Sequence, residues 1–168
     1  DEGYVKSEVE KLDARRKSWI ERKAQRDNMP QAGDVAIDFT YPDTTGQDYS
    51  LSSFEGDLVY VDVWATWCGP CKAEIPSLQK LEADYHDQAI TFLSVSVHTD
   101  AAAWRKMAQD KSLGGIQLWA DGWSQITKDY AIFGIPRFML FSADGKVISN
   151  DAPRPSSAEI RDLFDANL

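Results

Sequence analysis

The sequence predicts an α/β sandwich built on a mixed central sheet, and three observations carry that expectation. Leu58–Ala65 is a strand-length run that is almost continuously apolar, as a strand buried on both faces of a parallel sheet would be. A second such run, Ile90–Val97, follows a helical stretch and is followed by another, so strands and helices alternate. The chain then closes with a hairpin and a last helix, which adds antiparallel strands to the parallel ones.

Taken in order, residues 4–26 read as one amphipathic helix. Val5, Val9, Leu12, Trp19 and Ile20 recur at helical spacing and charges surround them. Such a helix either docks or connects an upstream domain in a longer precursor, or packs on the core of its own domain. The stretch Asn28-Met29-Pro30-Gln31-Ala32-Gly33 breaks it, which divides the chain into an N-terminal helix at 1–28 and a domain at 29–168. Ala36–Phe39 and Gln47–Ser50 read as short strands around the turn Thr44-Thr45-Gly46-Gln47, and Leu51–Phe54 as a helical turn. After the Leu58–Ala65 strand comes a helix from Gly69 to about His86, then the Ile90–Val97 strand. A helix at Asp100–Lys111 is capped by Thr99 or Asp100. A short strand at Gln117–Ala120 and a helix at Ser124–Ala131 come next. Arg137–Ser142 and Lys146–Ser149 form a hairpin around Ala143-Asp144-Gly145. The closing helix is Ser156–Ala166, with Ser156 or Ser157 as its cap.

At 168 residues and 43% hydrophobic, with six Trp, the chain has material for one packed domain. The formal charge of −9 is uneven: residues 1–27 carry eight basic and seven acidic side chains, so the excess of acid lies wholly in the body. An acidic body repels phosphate backbones, which argues against nucleic-acid partners. No apolar run approaches the ~18 residues that a membrane span needs. The sequence begins at Asp1 without a signal peptide, as expected of a mature product or an excised fragment.

Cys68 and Cys71 are the two cysteines of the chain. A disulfide closing so short a loop would stabilise by roughly 2 kcal/mol, against about 4.7 for a 100-residue loop, so the pair is better suited to chemistry than to stapling. The segment Val61-Asp62-Val63-Trp64-Ala65-Thr66-Trp67-Cys68-Gly69-Pro70-Cys71-Lys72 runs from a buried strand straight into the start of a helix. Unpaired N–H groups and the positive end of the helix dipole favour a thiolate there, so Cys68 should ionise below the ~8.5 of a free cysteine. Pro70 falls in the first turn, where its missing N–H costs nothing. Three residues on, Cys71 lies one turn deeper on the same face, placed to resolve a mixed disulfide that Cys68 has formed. A zinc site would need about four ligands, and beyond the two cysteines only the distant His86 and His98 are on offer, so no metal is expected. No cofactor is expected either.

The hexapeptide Trp67-Cys68-Gly69-Pro70-Cys71-Lys72 closely resembles the thioredoxin superfamily. The longer run from Trp64 to Pro76 resembles its TlpA/ResA-type branch of bacterial envelope oxidoreductases, over roughly residues 33–168. The resemblance implies a thioredoxin-like three-layer sandwich, with the helix and strand at 100–120 as an extra βα insertion. It implies that Asp62 is the buried aspartate that takes a proton from Cys71, although the lysine that thioredoxins place on the neighbouring strand is missing from Ile90–Val97. It implies that Glu74 is the glutamate of a Cys-x-x-Cys-x-x-Glu pattern that tunes the thiols. Pro136, in Gly134-Ile135-Pro136-Arg137, matches the cis-proline beside which an extended substrate binds. Trp67, Gly69, Pro70, Ile135 and Pro136 would then form the substrate-binding surface, and an envelope or periplasmic location follows. Arg137 replaces a common threonine and either favours acidic partners or reaches to solvent.

The function expected is thiol–disulfide exchange, in the direction of reducing disulfides in protein substrates with electrons from an upstream donor. Two alternatives stand beside it. An AhpC/TSA-type peroxidase would need an activating Thr and Arg around its cysteine, for which Thr66 and Arg137 exist. A redox-inactive interaction module would rely on the helix at 4–26.

Overall fold

The computed structural model describes residues 2–168. A long helix, α1 (Glu2–Asn28), leads to a small antiparallel pair, β1 (Thr40–Pro42) and β2 (Asp48–Ser50), and a 3-10 turn at Leu51–Phe54. Then come β3 (Leu58–Trp64), α2 (Gly69–Asp84), β4 (Ile90–Ser96), α3 (Ala101–Asp110), β5 (Ile116–Trp119) and α4 (Gln125–Asp129). β6 (Arg137–Phe141), β7 (Val147–Ser149) and α5 (Glu159–Asp165) complete the chain. The central sheet has the order β5-β4-β3-β6-β7. β3, β4 and β5 run parallel, β6 pairs antiparallel with β3, and β7 pairs antiparallel with β6. This is the mixed-sheet sandwich that the sequence predicts.

Alternation along the strands sorts side chains onto two cores. Val59, Val61 and Val63 of β3 join Leu93, Val95, Leu118, Met139 and Phe141 on one face, with Trp104 of α3 and Ile126 of α4. Leu58 and Tyr60 join Phe92, Phe138 and Leu140 on the other, against Leu78 and Leu81 of α2 and Ile160 and Phe164 of α5. Each such side chain, fully buried, contributes about 1.5–3 kcal/mol. The second face is rich in aromatic contacts, with Phe164 edge-on to Tyr60, Tyr85 and Phe92.

Three elements differ from the sequence expectation. The first strand lies at Thr40–Pro42, not Ala36–Phe39. In the earlier segment Asp38 Oδ1 accepts the N–H groups of Phe39 and Ser52 in place of ladder bonds, while Ala36 N–H donates to Gly145. The closing helix begins at Glu159, three residues later than expected, with Ala158 in the N-cap position, although Ser157 Oγ accepts the Glu159 N–H at 3.4 Å. Ser156 gives both its N–H and its hydroxyl to Glu74 instead. Asp100 does cap α3, accepting the N–H of Ala103.

For α1 the difference lies in one of its two expected roles: the helix forms, but not as one packed on the core of its own domain. Its apolar stripe is not packed on the body: Val5, Val9, Leu12, Trp19 and Ile20 are all exposed and no residue of the helix is buried. Near its C-terminal end the guanidinium groups of Arg22 and Arg26 lie over the Phe133 ring, 5.2 and 5.8 Å from its centroid. Immediately after the helix the chain is tied to β7, with Gly33 N–H donating to Val147 and Asn150 Nδ2 donating to the Pro30 carbonyl.

Candidate active site

β3 ends at Trp64 and α2 begins at Gly69, so the four-residue loop between them delivers Cys68 to the N-terminus of a 16-residue helix. Cys68 holds an extended backbone conformation (φ −85°, ψ 107°) and is the N-cap residue, its Sγ accepting the Cys71 N–H at 3.2 Å. This is the geometry that stabilises a thiolate: a sulfur in the place where capping residues usually put an oxygen. The two sulfurs are joined as a disulfide with Cα atoms 5.2 Å apart, and each cysteine is only 5% exposed. Trp67, the residue before, is 57% exposed and stands out from the surface next to them. Gly69 and Pro70 are also exposed. The loop is braced from beneath by Thr66 Oγ1, 2.6 Å from His98 Nδ1, and by Trp119 Nε1, which donates to the His98 carbonyl.

The Ile135–Pro136 peptide bond is cis. The register of β6 on β3 pairs Arg137 with Val63, which puts Pro136 level with Trp64 at the end of the sheet from which Cys68 emerges. Ile135 packs on the core cluster that contains both cysteines. Arg137 is turned to structural use: its guanidinium donates to the carbonyls of Asn150 (3.1 Å) and Ala131 (3.5 Å) and lies 3.8 Å from Asp151.

The two acids singled out in the sequence have opposite surroundings. Glu74 is buried with both oxygens occupied, one by the Ser156 N–H at 2.9 Å and the other by the Ser156 hydroxyl at 2.8 Å. It ties α2 to the segment before α5. Asp62 faces α2 from β3, and its Oδ1 is buried with no hydrogen-bond partner among the described residues. Burial pushes its carboxyl up to about 7, reinforced by the charge of Glu82 and opposed by the Ser94 hydroxyl. Asp62 and Cys71 line the same small cavity, in which Glu74 has no part. Where the superfamily resemblance leads one to expect a lysine on the neighbouring strand, Ser94 stands in register with Asp62. Glu82 was not foreseen from sequence. It lines the cavity too, and burial raises its carboxyl to about 7. Among the described residues there is no group of three or more His, Cys, Asp or Glu side chains fit to hold a metal.

A sulfur at a helix N-terminus, a second sulfur one turn deeper and a buried acid beside the second define a thioredoxin-fold thiol–disulfide oxidoreductase. The chain belongs to the Redoxin family, whose model matches residues 31–165, and its relatives are of the TlpA/ResA type. It is 30% identical over 115 residues to the thiol-disulfide oxidoreductase ResA of Geobacillus thermodenitrificans, covering 68% of this chain and 66% of that one. A proposed thiol-disulfide oxidoreductase of Bacteroides vulgatus superposes with a TM-score of 0.77 at 37% identity, covering 82% of this chain and 96% of the other. A proposed thiol:disulfide interchange protein DsbE of Chlorobium tepidum gives 0.72 at 26% identity, covering 83% and 99%.

Proposed function

We propose that the chain reduces disulfide bonds in partner proteins. The Cys68 thiolate attacks one sulfur of the partner disulfide, forming a mixed disulfide and expelling the other sulfur as a thiolate. Cys71 then gives its proton to Asp62, and its thiolate attacks Cys68 Sγ, releasing the second partner sulfur. Two electrons pass to the partner and the Cys68–Cys71 disulfide remains, to be reduced by an upstream donor. The observation that carries this reading is the asymmetry of the pair. Cys68 caps the helix, where a thiolate is favoured, while Cys71 shares a cavity with an acid that holds its proton into the neutral range.

Substrate would bind across Trp67, Gly69, Pro70, Ile135 and Pro136, an exposed aromatic and a backbone edge around nearly closed sulfurs. The Gly-Pro dipeptide between the cysteines suits a reductant. In this reading residues 29–168 are the catalytic domain and 1–28 an arm outside it. The envelope is the location its family relationship favours, and no helix among the described residues is long and apolar enough to cross a membrane. Glu74 serves as the anchor of α2. A peroxidase would need Thr66 and Arg137 free to act on a peroxide, and both have partners elsewhere. The test is reduction of insulin by the dithiol form, together with a redox titration of the couple. Turnover of insulin, abolished by Cys68→Ser, supports the reading; no turnover, or rapid reaction with hydrogen peroxide instead, contradicts it.

A further inference from the structure

Four buried side-chain polar atoms lack hydrogen-bond partners among the described residues, and three of them belong to residues lining one cavity: Asp62 Oδ1, Trp64 Nε1 and Gln117 Oε1. Buried polar groups are almost always satisfied, so three exceptions at one place call for a reason. Their chemistry is complementary to water. One donor and two acceptors are the set that a buried water, with its usual three hydrogen bonds, satisfies. The cavity offers about 20 Å³ to a water-sized sphere, above the ~10–15 Å³ that one water needs.

The register explains why these groups meet. Asp62 pairs with Ser94 and Ser94 with Gln117, so the three lie in one row across β3, β4 and β5. Gln117 is held by its Nε2, which donates to the Gly114 carbonyl at 2.8 Å, leaving Oε1 to the cavity. Glu82 closes the row from above. It lies three helical turns along α2 from Cys71, and its carboxyl rests where a side chain on residue 114 would stand: a Cβ added to Gly114 would collide with Glu82 Oε2. The titratable groups facing this space are Asp62 from β3 and Cys71 and Glu82 from α2, while β4 and the segment entering β5 contribute only neutral ones.

We propose that the cavity binds a water molecule which, with Glu82 as its outlet, carries the proton of Cys71 from Asp62 to solvent. Glu82 is thus a positioning residue and acts through Asp62. The inference rests on the roles given above to Cys71 and Asp62. In the resolving step the Cys71 S–H proton moves to the Asp62 carboxylate; the Asp62 O–H then donates to the water, which frees one water hydrogen to pass to the Glu82 carboxylate as the water takes the Asp62 proton. Glu82 then releases a proton to solvent, and no further reactant is consumed. Burial raises both carboxyls, so both can carry a proton near neutral pH.

The experiment is single-turnover reaction of the reduced chain with a small aromatic disulfide, which releases one chromophoric thiolate on attack and a second on resolution. The rate of the second release is followed from pH 5 to 9. Glu82→Gln should lower its high-pH plateau by roughly tenfold, a modest share of the ~10²–10⁴ typical of acid–base groups. Glu82→Asp should restore it, and the rate of Cys68 alkylation should not change. Gly114→Ala offers a second reading, because it displaces the carboxyl while keeping the residue, and it should lower the plateau likewise. A plateau unchanged in both Glu82→Gln and Gly114→Ala overturns the proposal. Wild-type protein that resolves the small disulfide but leaves insulin oxidised refutes only the protein-reductase reading, since the plateau comparison does not use insulin.

Discussion

The two sides of α2 hold one acid each that the sequence singled out, and they solve the problem of a buried carboxyl in different ways. On the α5 side, Glu74 is matched donor for oxygen by Ser156 and forms a tie between helix and loop. On the β4 and β5 side, Asp62 has an oxygen beside Cys71 with no protein partner among the described residues, and Glu82 lines the same cavity. A satisfied buried carboxylate is a structural part. An unsatisfied one destabilises the fold at neutral pH, and a cost of that kind at a thiol marks chemistry.

The largest effect expected is on Cys71 itself. Cys71→Ser should leave Cys68 able to attack but with no resolving sulfur, so mixed disulfides with partner proteins accumulate on non-reducing gels, whereas Cys68→Ser should trap none. Equal trapping by both variants would show that the two sulfurs are not divided as the helix geometry implies. Next in size is the contrast between the acids. Asp62→Asn should slow resolution by about 10²-fold, within the range for a general base. Glu74→Gln should leave the resolution rate within about twofold, since it keeps an acceptor for Ser156. Glu74→Ala should instead cost about 1–3 kcal/mol of stability in urea unfolding, because the Ser156 donors are left buried without an acceptor. If Glu74→Gln slowed resolution as much as Asp62→Asn, the contrast between the two sides would collapse.

Stability against pH gives a smaller and opposite signature. Asp62 and Glu82 are both raised to about 7 in the fold. Between about pH 4 and 7 the native state keeps protons that the unfolded chain has released, so stability falls as pH rises and the penalty is complete above 7. Asp62→Asn should therefore be more stable than the parent at pH 8, on the order of 2 kcal/mol, and no more stable at pH 4. Its thermal unfolding at the two pH values checks this. The smallest effect belongs to the substrate surface. Trp67→Ala should raise KM for insulin about tenfold, as loss of one exposed aromatic anchor does, with reduction of a small disulfide nearly unchanged.

Much of this was legible in the sequence, for local reasons. The apolar run at Leu58–Ala65, the Cys-x-x-Cys just after it and Pro70 in the first turn specify a strand, a loop and a helix start between Leu58 and Cys71. The cis-proline also lay within a short motif. What escaped depends on pairing between distant segments. Ser94 and Gln117 read as ordinary polar residues in strands until the register puts them in a row with Asp62. Asp38 looked like the polar member of a strand, yet its side chain takes the N–H groups that a strand would have paired. Ser156 resembled a helix cap, and it bonds to Glu74, 82 residues away in sequence. For Glu82 a signal did exist: it continues the stripe Cys71, Ile75, Leu78 on one face of α2, where an acid interrupts an otherwise apolar line.

Release of the second thiolate in single-turnover reduction of an aromatic disulfide, measured from pH 5 to 9 in the parent and in Asp62→Asn, tests the division of labour between the two sides most directly. The parent should show a rise in resolution rate centred near 7, the value to which burial lifts Asp62. Asp62→Asn should lose that rise and run about 10²-fold slower above it. A variant that keeps both the inflection and the rate would contradict the account, because the acid beside Cys71 would then have no part in its chemistry.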